Sequence, residues 1–470
     1  MSKTLKQLHD DLKSGAITVE ALVESSKKII SEKDGDIHAL LGMYSDTLVS
    51  NQITKAKEMF SNGTDTMLTG IPIVLKDNIL VKGEHATGAS KILENYVATY
   101  DSTVVKKLKE AGAILIGRAN MDEFAMGGST ENSAYGVTKN PSDTSRVAGG
   151  SSGGSAAVVA YGGVPVSLGS DTGGSIRQPA SFCGIVGLKT TYGNVSRFGL
   201  MAMGSSLDQI GPFGNCVEDV EEVYKVISGH DLMDSTSLPE EARNKNPETL
   251  KKVIGVPKSF IERDGIDKEV LKNFNESIEK LKTSGYEIKD ISIEHLEKAL
   301  SVYYILMFAE VSSNLARYDG IRYGLSHPGE TSIKSYFESR TAGFGDEVRR
   351  RILLGTYVLS SGYYDAYYNK ANLVRDMLKK EFARVFRDID IIATPTSPIP
   401  AFKIGEKSHD PLAMYLADIF TVPVNIVGVP AISIPSGKTE SGLPLSMQFI
   451  APHMKEEVLF TIGHDFEKLY

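Results

Sequence analysis

The feature that most constrains this chain is the segment between residues 127 and 214. It holds 19 of the 44 glycines and 14 serines within 88 residues. A solvated linker can share part of that composition, but apolar runs such as AAVVAY, VPVSL and GIVGLK lie between the glycines here. The segment is therefore predicted to be folded, with a backbone that turns tightly and comes close to a small group.

Strand-like and helix-like patterns alternate on both sides of this segment. Strands are predicted at 70–80 (GIPIVLKDNIL), 113–117, 253–257 and 286–293, and helices at 103–110, at 268–283 and over the long stretch 346–388. This alternation predicts an α/β fold, a large mixed β-sheet flanked by helices on both faces. No linker or fixed-period repeat divides the chain, so residues 1–470 are predicted to form one domain, with N-terminal helices over about 1–60 packed on it.

Charge and cysteine content limit where this chain works and what it binds. The net charge is −8, which argues against a broad surface for a polyanion because phosphates require clustered Lys and Arg. The N-terminus is charged, and no uninterrupted apolar run reaches about 18 residues. Cys183 and Cys216 are too few for a disulfide framework. These features predict a cytoplasmic protein with no membrane partner.

The loop SDTGGS, at residues 170–175, carries the first candidate for chemistry. It follows an apparent strand, and two glycines without side chains leave Ser175 open to approach. The N–H groups of Thr172, Gly173 and Gly174, with that of the serine itself, could converge on one oxygen as an oxyanion hole requires. Ser175 is therefore a candidate nucleophile, although a purely structural glycine-rich turn is an equal alternative for this loop alone.

A second glycine-rich loop, residues 149–155, contains a competing motif. Its first five residues match G-x-S-x-G, which would make Ser151 the nucleophile of a triad with histidine and an acid. The preceding run, residues 144–148, is short and polar, so no strand is expected to end there. None of the nine histidines lies in a comparable glycine-rich loop with an acid that would obviously orient it. The sequence therefore disfavours a histidine-based triad.

Lys76 is the third candidate, because it lies within an apolar strand pattern. Burying an ammonium group costs several kcal/mol unless the group is paired or neutralised. Desolvation lowers a lysine pKa from its usual value of about 10.4, which produces a general base that works near neutral pH. The alternative is that Lys76 pairs with Asp77 or lies at an exposed strand end.

Three motifs together resemble the amidase signature family: GIPIVLKDN, AGGSSGGSAA and SDTGGSIRQPA. The resemblance implies the amidase signature fold and a catalytic triad in which Lys76 is the base and Ser175 the nucleophile. Ser151 would be a bridging serine that follows a cis peptide bond. The implied reaction hydrolyses a carboxamide through an acyl-enzyme, and ammonia leaves before water attacks.

Further stretches resemble one branch of that family, the glutaminase subunits of bacterial tRNA-dependent amidotransferases. These stretches are NMDEFAMGGSTENSAYG, SRFGLMAMGSSLDQIGP, SSNLARYDGIRYG, RRRILLGTYVLSSGYYDAYY and PVNIVGVPAISIP. The resemblance implies glutamine as the substrate, and no metal or cofactor in this chain. It also implies a B subunit that binds tRNA, ATP and magnesium and transfers the ammonia to Glu-tRNA(Gln) or Asp-tRNA(Asn), and a small C subunit that clasps the pair.

The same resemblance implies the residues that bind glutamine. Arg351 would take the α-carboxylate, Asp418 the α-ammonium, and Tyr303 a nearby hydrogen bond. Each has an alternative as a charge on a helix surface or as a packed ring. Two other functions remain open, a stand-alone amidase that acts on a small free amide and a non-catalytic scaffold that keeps the fold.

Overall fold

A large mixed β-sheet organises the molecule. The computed structural model describes residues 3–242, 250–408 and 410–470. Its strands are β1 (Leu40–Met43), β2 (Pro72–Lys76), β3 (Ile114–Ala119), β4 (Lys139–Asn140), β5 (Asp143–Val147), β6 (Val166–Asp171), β7 (Val186–Lys189), β8 (Gln209–Gly214), β9 (Val253–Val256), β10 (Glu287–Asp290), β11 (Ile391–Pro395), β12 (Ala431–Lys438) and β13 (Pro444–Ile450). Eleven of them form one sheet in the order β1-β3-β2-β6-β8-β7-β12-β13-β11-β9-β10. The predicted α/β class is confirmed.

Helices flank this sheet and pack against its strands. They are α1 (Leu5–Ser14), α2 (Val19–Ile37), α3 (Asp46–Asn62), α4 (Thr103–Glu110), α5 (Gly153–Ala160), α6 (Arg177–Cys183), α7 (Val217–Ile227), α8 (Lys258–Ile261), α9 (Lys268–Thr283), α10 (Ala299–Asn314), α11 (Ser332–Gly343), α12 (Asp346–Leu359), α13 (Lys370–Val385), α14 (Pro411–Leu416), α15 (Val422–Val427) and α16 (Glu456–Glu467). The helices predicted at 103–110 and 268–283 are confirmed. The long stretch predicted at 346–388 is helical but divided. The helix α12 ends at Leu359, Ser360 has an extended backbone, and Gly362 in the following turn has a left-handed φ of 87°.

Parallel pairing brings the ends of three strands to one edge of the sheet. β2 pairs in parallel with β3 on one side and with β6 on the other. The carboxyl ends of parallel strands lie at the same edge, where open α/β sheets bind their ligands. These ends carry Lys76 on β2 and Asp171 on β6, and the chain beyond β3 continues to Asp122. The pairing therefore gathers polar groups from distant parts of the chain.

The expectation that no strand ends just before residues 149–155 is wrong. A strand, β5, does end just before the loop at residues 149–155, although its sequence is short and polar. It pairs with β4 in a two-stranded hairpin outside the main sheet. Local hairpin pairing satisfies the backbone without a run of apolar side chains, so the apolar pattern that predicts sheet strands was missing here.

One long apolar helical region is a core element. Residues Leu296–Arg317, which include α10, are long and apolar enough to cross a membrane by length and composition alone. In the fold, α10 packs against α12, α13 and α15 and buries Val302, Tyr303 and Leu306. An ideal Cβ on Gly355 of α12 would lie 1.8 Å from the Phe308 carbonyl oxygen of α10. The two helices can approach this closely only because position 355 has no side chain.

We expect Gly355→Ala to destabilise the protein by about 2 kcal/mol or more, because the methyl group would push α12 away from the α10 backbone. Gly35→Ala is the matched control. Gly35 also lies within a helix, but nothing lies within 4 Å of its ideal Cβ. Alanine there is expected to stabilise the protein by about 0.5–1 kcal/mol. Urea unfolding of both variants measures the difference, and equal stabilities would contradict the contact.

Candidate active site

The side chain of Lys76 is fully buried at the carboxyl end of β2. Its Nζ lies 2.7 Å from Ser151 Oγ, 2.8 Å from Ser152 Oγ and 3.0 Å from Ser170 Oγ. The alternative partner, Asp77, instead forms an ion pair with Arg118 at 3.0 Å. The amine is therefore surrounded by hydroxyl groups rather than by a directly paired carboxylate.

Burial decides the charge of this amine. Desolvation lowers the pKa of Lys76 to about 7, and the more distant carboxylates of Asp122, Asp171 and Asp208 oppose the shift. An amine with this pKa is substantially uncharged at neutral pH. It can then accept a proton from a neighbouring hydroxyl group, as a general base must.

The loop that carries Ser151 is fixed on both sides. The peptide bond between Gly150 and Ser151 is cis, as the family resemblance implied. The Gly150 N–H donates to Gln178 Oε1 at 3.0 Å, and the Ser151 carbonyl oxygen accepts from the Asp122 N–H at 3.1 Å. An ideal Cβ on Gly150 would lie 2.2 Å from Asp122 Oδ2, so this position has no room for a side chain. The close contacts hold the Ser151 hydroxyl beside the lysine.

A buried ion pair shapes the loop that carries Ser175. Arg177 donates to both carboxylate oxygens of Asp171, each at 3.0 Å, and both side chains are fully buried. The same carboxylate accepts from the N–H groups of Gly174 at 2.8 Å and Ile176 at 3.2 Å. Burial alone would raise the pKa of Asp171, but Arg177 outweighs it and lowers this pKa to about 2. Asp171 therefore stays charged and holds the backbone around Ser175, which is itself buried.

The predicted oxyanion hole differs at one position. The N–H of Gly174 is donated to Asp171 Oδ1 at 2.8 Å, because a buried carboxylate draws nearby donors. Within the described residues, the N–H groups of Thr172, Gly173 and Ser175 have no hydrogen-bond acceptor. These three donors, rather than the one on Gly174, are free to face a developing oxyanion.

Tyr303 lies beside this loop, and Arg351 interacts with Tyr303. An ideal Cβ on Gly173 would lie 2.6 Å from Tyr303 Cζ and 2.7 Å from its hydroxyl oxygen. Arg351 is buried, and its Nε donates to Glu347 Oε1 at 2.6 Å. Burial raises the pKa of Tyr303 and the Arg351 guanidinium opposes that shift, so the two groups interact. The structure thus brings the Tyr303 phenol of α10 to the loop that carries Ser175, and the Arg351 guanidinium of α12 to the neighbourhood of Tyr303.

Asp418 supplies a carboxylate near the same loop. It is half-buried as a residue, but its Oδ1 is enclosed and accepts no hydrogen bond from the residues that the structure describes. Burial raises the pKa of Asp418 to about 8, Asp171 adds to the shift, and Arg351 opposes it. Thr421 Oγ1 donates both to the Asp418 carbonyl oxygen at 3.1 Å and to that of Gly173 at 2.7 Å. A single threonine therefore links this acid to the nucleophile loop.

Sequence reasoning missed several groups that build the site. Ser152, Ser170, Asp122 and Gln178 all lie within the quoted motifs, so their types and positions were a usable signal. Thr421 lies in no glycine-rich or apolar motif, and only its contact in the fold identifies it.

Histidines do not take part in the described site. Three of them contact carboxylates: His9 with Asp65, His295 with Glu381, and His464 with Glu221. None of the histidines in the described ranges forms a hydrogen bond with Ser151 or Ser175. The G-x-S-x-G match at residues 149–153 therefore has no histidine base among the described residues.

Comparison with known proteins agrees with this geometry. A family model described as Amidase matches residues 21–460. The A subunit of glutamyl-tRNA(Gln) amidotransferase from Thermoanaerobacter pseudethanolicus is 51% identical over 99% of this chain and 96% of its own length. A protein of Clostridium acetobutylicum, named as the A subunit numbered 2 of the same enzyme, is 49% identical over 100% of this chain and 99% of its own.

Solved structures give the same grouping. The A subunit of glutamyl-tRNA(Gln) amidotransferase from Thermotoga maritima matches with a TM-score of 0.81 and 41% identity, over 99% of this chain and 94% of that one. A 6-aminohexanoate cyclic dimer hydrolase also matches, with a TM-score of 0.81 and 26% identity over 99% and 96%. The fold is thus shared by proteins that bear different names.

We expect the rate of amide hydrolysis at saturating substrate to rise with pH through about 7 and then to level off. Lys76, whose pKa is about 7, is protonated below that pH and cannot accept a proton. Replacing it by methionine should lower the rate by about 10²–10⁴-fold. Ammonia release measured across the pH range tests this, with circular dichroism to show that the protein stays folded. A rate that is flat across neutral pH would contradict the role of the amine.

Proposed function

This chain belongs to the amidase family, and from this premise we propose that it is the glutamine-hydrolysing A subunit of a glutamyl-tRNA(Gln) amidotransferase. Relatives that match this chain over nearly their whole length carry that name. The chain would release ammonia from glutamine for use by a partner subunit. The arrangement of Arg351 and Asp418 around the nucleophile loop supports glutamine as the amide.

A buried cation and an unpaired carboxylate suit a free amino acid. Glutamine carries an α-carboxylate and an α-ammonium group, and a selective pocket needs an opposite charge for each. Arg351 offers a planar guanidinium that can pair with a carboxylate through two hydrogen bonds. Asp418 has an enclosed oxygen for which the described residues supply no donor, and a bound ammonium would supply that donor and lower its raised pKa. Tyr303 lies against Gly173 of the loop that carries Ser175.

The Lys76 amine donates to the Ser151 hydroxyl at 2.7 Å, and we propose that these two groups and Ser175 carry the reaction. Neutral Lys76 takes the proton of Ser175 through the Ser151 hydroxyl, and Ser175 Oγ attacks the amide carbon. The free N–H groups of Thr172, Gly173 and Ser175 stabilise the oxyanion. The proton then returns through Ser151 to the leaving nitrogen, so ammonia departs and an acyl-enzyme remains. Water attacks the acyl-enzyme by the same proton path and releases glutamate.

The partners of this chain follow from the proposed role. We propose a B subunit that holds tRNA, ATP and magnesium, together with a small C subunit, and we place the assembly in the cytoplasm. The net charge of −8 suits a chain that leaves most of the tRNA contact to a partner. Within this chain we expect no metal or cofactor to take part. A stand-alone amidase that acts on a small free amide is the competing function.

Glutamine hydrolysis by Ser175→Ala tests the proposal. The purified chain, alone and copurified with its partner subunits, is incubated with glutamine, and glutamate is measured. We expect the substitution to lower the rate by about 10³-fold or more, because the nucleophile is lost. Ser181→Ala is a matched control, since that serine is also buried but lies on α6 away from the lysine. If the wild-type assembly releases no glutamate but hydrolyses simple amides, the competing function is correct.

Arg351→Lys tests the substrate pocket. Lysine keeps the charge but loses the planar pair of donors, so we expect the KM for glutamine to rise about tenfold, the loss of one charge-assisted hydrogen bond. Arg349→Lys, on the exposed side of the same helix, should leave KM unchanged. Steady-state kinetics with glutamine give the KM of both variants and test whether Arg351 binds the α-carboxylate. Similar KM values for the two would argue against carboxylate binding by Arg351.

A further inference from the structure

Glu123 is a buried acid that the reaction above does not use. It follows Asp122 in the segment after β3 and is 2% exposed. Its Oε1 accepts a hydrogen bond from Ser90 Oγ, and its Oε2 accepts from the Gly345 N–H at 2.9 Å. Both oxygens are therefore committed to fixed partners rather than to solvent.

The contact with Gly345 places a carboxylate at the start of α12. Gly345 immediately precedes the first residue of that helix, and its N–H has no partner inside the helix. An ideal Cβ on Gly345 would lie 2.5 Å from Glu123 Oε2, so the backbone approaches the acid directly. The acid thus joins α12 to the segment that supports the cis-serine loop.

The other part of α12 is fixed by a different contact. Gly355 lies against the Phe308 carbonyl oxygen of α10, with no space for a side chain. Arg351 lies between this contact and Gly345, and six residues of helix from Gly345 correspond to about 9 Å. The contacts at Gly345 and Gly355 therefore fix the helix on both sides of Arg351 and so position the segment that carries its guanidinium.

We infer that Glu123 is a positioning residue for the substrate: by holding the N-terminus of α12, it keeps Arg351 where the α-carboxylate of glutamine binds. This inference rests on the proposed function. Glu123 touches neither the substrate nor the reacting atoms, so removing it should weaken glutamine binding and leave the chemical step intact. Its neighbour Asp122 has a separate task, because Asp122 holds the loops at residues 129–132 and 150–151.

Three substitutions at one position distinguish positioning from general stability. Glu123→Ala removes both hydrogen bonds, and Glu123→Asp keeps the carboxyl group but is one methylene too short to reach Gly345. Glu123→Gln can keep both, with its oxygen accepting from Gly345 and its amide donating to Ser90, whose hydroxyl can turn to the Gly343 carbonyl oxygen at 3.2 Å. We expect the alanine and aspartate variants to raise the KM for glutamine about tenfold, with kcat within about twofold. The glutamine variant should restore the wild-type KM.

A double variant shows whether the effect passes through Arg351. If it does, Glu123→Asp combined with Arg351→Lys should have about the KM of Arg351→Lys alone, because each removes the same interaction. Glu94→Ala, an exposed acid near Ser90, is the control and should change nothing. All variants are assayed in the assembly with its partner subunits, and thermal unfolding is recorded for each.

Several results would overturn the inference. Unchanged KM in the aspartate variant, a fall in kcat without a rise in KM, or multiplicative effects in the double variant would each do so. If the alanine variant does not fold, the comparison of aspartate with glutamine at position 123 still decides. Wild-type protein that hydrolyses no glutamine would instead reject the proposed function, so the two failures are distinguishable.

Discussion

The site depends on one constraint, an amine buried without a directly paired acid. Lys76 can remain in the interior because it need not be charged there, and three serine hydroxyls satisfy its hydrogen bonds. A paired carboxylate would stabilise the ammonium form and make the amine useless as a base. Three acids that form no hydrogen bond with the amine prevent the pKa of Lys76 from falling further: Asp122, Asp171 and Asp208. The parallel pairing of β2 with β3 and β6 creates this environment.

The nucleophile loop uses the opposite electrostatic arrangement. Asp171 and Arg177 are both fully buried and fully charged, and each satisfies the other through two hydrogen bonds. Arg177 also donates to Asn425 Oδ1 at 2.5 Å and to the Thr421 carbonyl oxygen at 2.9 Å. The ion pair thereby connects α6 with α15. A neutral base and a rigid ion pair thus lie side by side. The low dielectric of the interior keeps the base uncharged, and the ion pair remains charged there because each partner satisfies the other.

Much of the fold could be predicted from sequence because its signals are local. Apolar patterns located β2 with Lys76, α4 and α9, and the glycine-rich motifs pointed to the loops of Ser151 and Ser175. The strand β5 was missed because a hairpin needs no apolar pattern. The donor role of Gly174 was misjudged because nothing in SDTGGS shows that Asp171 folds back on it. Contacts such as that of Glu123 with Gly345 join residues 222 positions apart, so no local pattern reveals them.

The chain separates its chemical groups by position. Lys76, Ser151 and Ser175 come from the first two hundred residues, whereas Tyr303, Arg351 and Asp418 follow residue 300. The halves meet where β7 pairs with β12 in the sheet. If the proposed roles hold, substitutions in the later segments change which substrate binds and leave Lys76, Ser151 and Ser175 untouched. The same scaffold is found in a cyclic dimer hydrolase of 26% identity, so one fold serves proteins that bear different names.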